Sequence, residues 1–157
     1  MNPPKPRPEG SAALRERALG LLARREHSRA ELRRKLADAD ASPGELDALL
    51  DDLAAAGLQS DGRYAESFVR SRIERGQGPL RIRQELRRRG VDAVRAEQAL
   101  DEADVDWDVR LREVHRKRFG GAPPSDRREQ ARRARFLAQR GFHDAAIREL
   151  LTDPGEA

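Results

Sequence analysis

Apolar positions recur along the chain in a set that repeats at intervals of 50 and 51 residues. The anchors are Leu36, Leu86 and Leu137. Ten residues after them stand Leu46, Ala96 and Ile147. Thirteen after stand Leu49, Ala99 and Leu150, and fourteen after stand Leu50, Leu100 and Leu151. Offsets of ten, thirteen and fourteen fall on one face of a helix. Four residues past the second and third anchors come Gly90 and Gly141, followed by Val91 and Phe142. That order ends a helix with a left-handed glycine at C′ and folds an apolar residue back. The first unit has Asp40 and Ala41 at these places, so its turn is expected to differ.

Start signals place the helices. Ser28 with Glu31 makes a capping box, and Ser42-Pro43-Gly44-Glu45 makes another with proline at the first helical position. Gly78-Pro79 opens the equivalent helix of the second unit, and Asp92 and Ser125 can cap two more. The pattern predicts helices over about 11–26, 28–38, 42–56, 61–75, 79–89, 92–103, 105–119, 126–140 and 143–152. Gly20 lies inside the first of them. The expected fold is all-α, three tandem three-helix repeats (11–58, 59–104 and 105–152). A unit of this size buries little apolar surface alone, so the repeats are expected to stack into an elongated, curved solenoid. Residues 1–10, with four prolines, read as a disordered tail, and 153–157 as a C-terminal tail.

Composition narrows the function. Of 157 residues, 38% are charged, 37% hydrophobic and 4% aromatic, which argues against a sandwich or barrel. No apolar run approaches a membrane span, and the first ten residues lack the apolar core of a signal peptide. Cysteine is absent, so thiolate metal sites and disulfides are excluded and a reducing cytoplasm fits. His27, His115 and His143 have no metal-ligand spacing. The carboxylates of 97–108 lack the order of a calcium loop. There is no nucleophile elbow and no phosphate loop, and Gly76-Gln77-Gly78-Pro79 reads as a turn between helices. No enzymatic activity, metal or cofactor is expected.

Charge supplies the positive signal. The net charge is +4 and the sequence pI about 10.2. Resolved along the chain, it swings between basic and acidic three times. Residues 11–35, 63–95 and 110–135 carry +5, +6 and +7, and the acidic stretches 36–62 and 96–109 carry −7 and −6. Only Lys5, Lys35 and Lys117 are lysine; the other 29 basic residues are arginine. Arg63, Arg70, Arg72, Arg75, Arg81, Arg83, Arg87, Arg88 and Arg89 lie in the two basic helices of the middle unit. Tyr64, Phe68, Ile82 and Leu86 mark the buried sides of those helices. Arg63 and Arg70 then share an outward face with Ser67 and Glu74; Arg81 and Arg88 share another with Gln84. Arg72, one turn after Phe68, is expected half-buried against the next helix. Two further runs comprise Arg110, Arg112, Arg116, Lys117 and Arg118, and Arg127, Arg128, Arg132, Arg133 and Arg135. Two readings stand at this point: a solvated face paired with the acidic third helices, and a binding face for carboxylates or phosphates. The few aromatics fall at core spacing, which disfavours base stacking.

The middle unit carries a resemblance. Asp61-Gly62-Arg63-Tyr64-Ala65 is followed by Arg70-Ser71-Arg72, then Gly76-Gln77-Gly78-Pro79, then Ile82-Arg83-Gln84-Glu85-Leu86 and Arg89-Gly90-Val91. This stretch resembles the RecX family of bacterial regulatory proteins. Ser28-Arg29-Ala30-Glu31-Leu32 through Lys35-Leu36 is similar to it as well. Ala39-Asp40 departs from the basic-Gly of the pattern, and the third unit matches mainly through Leu137 to Phe142. The resemblance implies a cytoplasmic, non-enzymatic protein. It would bind the RecA recombinase, usually as its filament on single-stranded DNA, and restrain its ATPase, strand exchange and coprotease functions. The candidates for contact with RecA or DNA are then Arg63, Arg70, Arg72, Arg75, Arg81, Arg83, Arg87, Arg88, Arg116 and Arg132. The chain is expected to act as a monomer, either bridging protomers in the filament groove or occupying a filament end. The alternatives are a non-specific DNA-binding protein acting through phosphates and a scaffold using the acidic third helices.

Overall fold

The computed structural model describes residues 8–37 and 41–152. Among them the fold is all-α, with nine helices in three triplets. The first triplet is α1 (Pro8–Arg24), α2 (Arg29–Leu36) and α3 (Pro43–Ala55). The second is α4 (Asp61–Glu74), α5 (Pro79–Arg88) and α6 (Ala93–Ala103). The third is α7 (Trp107–Phe119), α8 (Arg127–Gln139) and α9 (Asp144–Thr152). Helix α1 begins three residues before the expected start, and Gly20 continues it. The expected odd turn at Asp40, and the ends 1–7 and 153–157, lie outside the described residues.

Local chemistry sets the ends. The Ser28 hydroxyl accepts from the Glu31 amide at 3.1 Å, and the Ser28 amide donates to the Glu31 carboxylate at 3.2 Å, a complete capping box. Ser42 forms half of one, accepting from the Glu45 amide at 3.3 Å. Asp92 caps α6 as expected, but α8 is capped by Asp126 rather than Ser125. Aspartate supplies the same side-chain acceptor one residue later. Gly90 and Gly141 take φ +82° and +98°. Their amides bond Arg87 and Ala138, while Val91 and Phe142 reach back to Leu86 and Leu137 at 3.0 and 3.3 Å, completing the helix-terminating motif.

Each triplet owns a core. Leu32, Leu36, Leu50 and Leu53 centre the first, Val69, Ile82 and Leu86 the second, Leu137, Phe142 and Ile147 the third. Of the periodic set, Leu150 is only half-buried. Trp107 packs against both the second and third cores. Hydrogen bonds and an ion pair also join the units. Every hydrogen bond between repeats among the described residues joins sequence neighbours, so the units are linked in series.

The two joints use equivalent positions. At the first, the Ser28 hydroxyl donates to the Arg89 carbonyl at 2.7 Å. At the second, the Gly78 amide donates to the Arg140 carbonyl at 2.7 Å, and the Leu80 amide to the Gly141 carbonyl at 3.0 Å. Ser28 and Gly78 are the N-caps of α2 and α5; Arg89 and Arg140 are the C-caps of α5 and α8. A Cβ on Gly78 would stand 2.5 Å from the Gly141 carbonyl, and one on Gly90 would stand 2.4 Å from the Ala30 methyl. Both joints therefore exploit close backbone approach.

Candidate functional site

Folding divides the ten candidate arginines. Five are engaged inside the fold. Arg63 pairs with Glu26 at 2.9 Å across the first joint and donates to the Gly57 carbonyl. Arg72, half-buried as expected, stands 3.2 Å from Glu85 and 4.5 Å over the Phe68 ring. Arg81 is half-buried instead of fully outward; it bonds Glu85 at 3.1 Å and the Gln139 carbonyl across the second joint. Arg83 pairs with Glu97 on the acidic third helix, and Arg132 with Glu129 at 2.8 Å. Arg29 and Arg33 make the same kind of bond to Asp51 and Asp47. For these residues the salt-bridged-face reading holds.

The other five, Arg70, Arg75, Arg87, Arg88 and Arg116, are exposed. Their side chains make no ion pair or hydrogen bond among the described residues. Of the ten candidates, these are the ones the fold leaves available, spread along the first two helices of the second repeat and onto α7.

Two grooves open at the joints, and Arg75 lines both. The first also holds Arg25, Phe68, Arg72 and Arg89. The second, of about 470 Å³, holds Arg110, Val114, Lys117, Arg118, Phe136 and Arg140. Arg25, Arg89, Arg118 and Arg140 were not among the expected site residues. The repeat register carried the signal for three of them. Arg25 and Arg75 each precede an N-cap by three residues, and Arg89 and Arg140 immediately precede the C′ glycines.

The electrostatics of the first groove centre on Glu31, which is buried. Arg25 bonds it at 2.9 Å and Arg89 approaches to 3.6 Å. Burial pushes the Glu31 carboxyl up, but the Arg25 guanidinium and the Ser28 amide outweigh it and hold the group at about 2. Burial and the Glu31 charge push the neighbouring Tyr64 phenol up to about 12. Its hydroxyl is buried without an aligned hydrogen bond. His27, also buried, lies 3.0 Å from the Arg25 carbonyl through Nδ1 and 3.0 Å from the Lys35 ammonium through Nε2. Those partners suit a neutral ring with its proton on Nδ1. Burial, with the Arg25 and Lys35 charges, lowers its proton affinity, and the carbonyl bond only partly opposes this.

One member of a basic run is not a surface residue at all. Arg133 is buried, with Nε bonded to Glu129 at 3.2 Å and a terminal nitrogen donating to the Ala122 carbonyl at 2.9 Å and to His115 at 3.2 Å. It closes the long α7–α8 connection. The described residues contain no cluster of metal-ligating side chains and no helix long and apolar enough to cross a membrane.

Family models for the first, second and third three-helix domains of RecX match residues 15–53, 60–100 and 106–151. The chain belongs to the RecX family. The RecX regulatory protein of Halorhodospira halophila is 52% identical over 138 residues, covering 88% of this chain and 86% of that protein. That of Pseudomonas savastanoi pv. phaseolicola is 49% identical over 143 residues, covering 91% and 92%. The crystal structure of RecX from Lactobacillus salivarius superposes with a TM-score of 0.73 at 27% identity, over 92% of this chain and 96% of that one. A second crystal structure, of a regulatory protein RecX, shares the fold with a TM-score of 0.75 at 23% identity, over 98% of this chain and 81% of that one. RecX relatives are regulatory proteins by name, and the third repeat, whose motif resemblance lies mainly in Leu137 to Phe142, is covered by its own RecX domain.

Proposed function

We propose that this chain binds RecA, as its filament on single-stranded DNA, and restrains its ATPase, strand exchange and coprotease activities, acting in the cytoplasm as a monomer without catalysis of its own. The observation that carries this reading is the division of the arginines. Arg70, Arg75, Arg87, Arg88 and Arg116 are left without internal partners on a row of units whose relatives are regulators of this family. A row of units with cations on successive helices suits a periodic nucleoprotein surface, because several weak contacts add when their spacing is held. The test is ATP hydrolysis by RecA on single-stranded DNA with the protein added near stoichiometry. Turnover and strand exchange should both fall; unchanged rates sink the reading.

The second reading, binding to bare DNA through phosphates, draws on the same five free arginines. Affinity for naked duplex would then drop steeply with salt, by a slope set by the phosphates neutralised. Tight salt-sensitive binding to naked duplex with no preference for the filament would favour it.

A further inference from the structure

The two joints are built on one plan, and one of them lacks a charge. At the first, Arg25 from three residues before the N-cap and Arg89 from the C-cap converge on Glu31, the third residue of α2. At the second, the same places are held by Arg75 and Arg140, and the Arg140 guanidinium donates to the Arg75 carbonyl at 3.2 Å. The residue equivalent to Glu31 is Arg81, and it turns instead to Glu85. So the second joint keeps both arginines and has a cation where the first keeps its carboxylate.

The surroundings sharpen the difference. The second groove adds Arg118, whose guanidinium stands 5.4 Å over the Phe136 ring, beside Arg140 at 5.1 Å from the same ring. Its two carboxylates are Glu74 and Glu113, and Glu113 is already bonded to Arg110 at 2.6 Å. The cations therefore outnumber the anions, over an apolar floor of Val114 and Phe136.

We infer that the groove between the second and third repeats is a docking site for an acidic side chain of a protein partner, flanked on that partner by apolar residues. The incoming carboxylate takes between Arg75, Arg118 and Arg140 the part that Glu31 plays between Arg25 and Arg89. Planar guanidiniums suit a carboxylate in this geometry. A nucleic-acid strand suits the groove less. It brings a charge at every phosphate, and Glu74 and Glu113 on the rim repel a polyanion more than a single carboxylate. The floor also favours a peptide, because apolar neighbours of the acidic residue can cover Phe136 and Val114.

The inference deepens the proposed function only in requiring a protein partner, and its test uses no RecA. The full chain is titrated with a terminally blocked hexapeptide of alternating leucine and glutamate, and arginine Nε–Hε resonances are followed by NMR at fixed ionic strength. The expected result is a saturable shift centred on Arg75, Arg118 and Arg140, absent with the glutamine version of the peptide. Arg75→Gln and Arg118→Gln should each weaken binding at least threefold and Arg34→Gln, on an exposed cation of α2 far from the groove lining, should not. Among the described residues the Arg75 guanidinium makes no hydrogen bond, so Arg75→Gln should melt like the parent, and Arg118→Gln gives up only the ring contacts to Phe119 and Phe136. Shifts spread evenly over the exposed arginines, or no saturable shift, overturn the inference. So does a hexathymidylate strand that titrates the same resonances at lower concentration than the peptide. Failure here leaves the filament reading standing, and an unchanged RecA ATPase leaves the groove standing.

Discussion

The Ser28 hydroxyl serves two helices at once: it accepts from the Glu31 amide of its own helix and donates to the Arg89 carbonyl of the next repeat at 2.7 Å. One side chain thus caps α2 and ties the C-terminus of α5 to it. The cap and the inter-repeat bond are lost together in Ser28→Ala. A cap is worth about 1 kcal/mol and a buried hydrogen bond about the same. A loss of roughly 2 kcal/mol is expected, read as a lower urea midpoint. Asn at this position should recover the cap and not the joint.

Glu31 makes the first joint acid-sensitive. Its folded value of about 2 lies below the ordinary 4.5, so its contribution is complete above pH 4.5 and is lost as pH falls towards 2. At about 1.4 kcal/mol per tenfold change in proton affinity, the ceiling is roughly 3 kcal/mol. Glu31→Gln should therefore unfold more easily at pH 7 and show a flatter decline of stability between pH 4.5 and 2.5 than the parent. His27 acts in the same direction at higher pH. Its lowered proton affinity means that the folded state loses ground as pH drops below 6.5. Urea midpoints measured from pH 8 to pH 3 separate the two regions.

At the second joint a single methyl group is expected to be disruptive. Gly78 has an ordinary φ of −89°, so alanine costs little in backbone freedom. The added Cβ would meet the Gly141 carbonyl carbon and oxygen at 2.5 Å, and backbone atoms cannot swing aside. Gly78→Ala should cost about 1–3 kcal/mol, typical of overpacking. Amide exchange should quicken first at Gly78 and Leu80, whose N–H groups bond across the joint.

The arginines should separate into two phenotypes. Arg87→Ala and Arg88→Ala, on exposed side chains without internal partners, should leave stability within about 0.5 kcal/mol and weaken the effect on RecA ATPase. Arg72→Ala leaves Glu85 with one cation fewer and uncovers the Phe68 ring. It should lower the melting temperature by several degrees, as expected for a loss of about 1–3 kcal/mol. If melting and ATPase effects instead move together in all three, the division of the arginines is wrong.

The sequence by itself determined the helices and their grouping. Leu36, Leu86 and Leu137 with their partners at ten, thirteen and fourteen marked the buried faces because helical periodicity is a local property. Ser28, Asp92 and the glycines at 90 and 141 marked the ends because capping is local too. It also carried the family, through the middle motif. What it could not decide was which arginines are free. Arg81 and Arg88 share one outward face by helical spacing, yet one is half-buried and bonded to Glu85 and the Gln139 carbonyl while the other faces solvent. Arg133 reads as one of a charged run and is buried against Glu129 and His115. Those fates depend on residues from other helices. The same holds for the joints, where Gly78 meets Gly141 and Glu31 meets Arg89 only after the repeats stack. A charge run in sequence becomes a surface, a staple or a groove according to what tertiary packing sets opposite it.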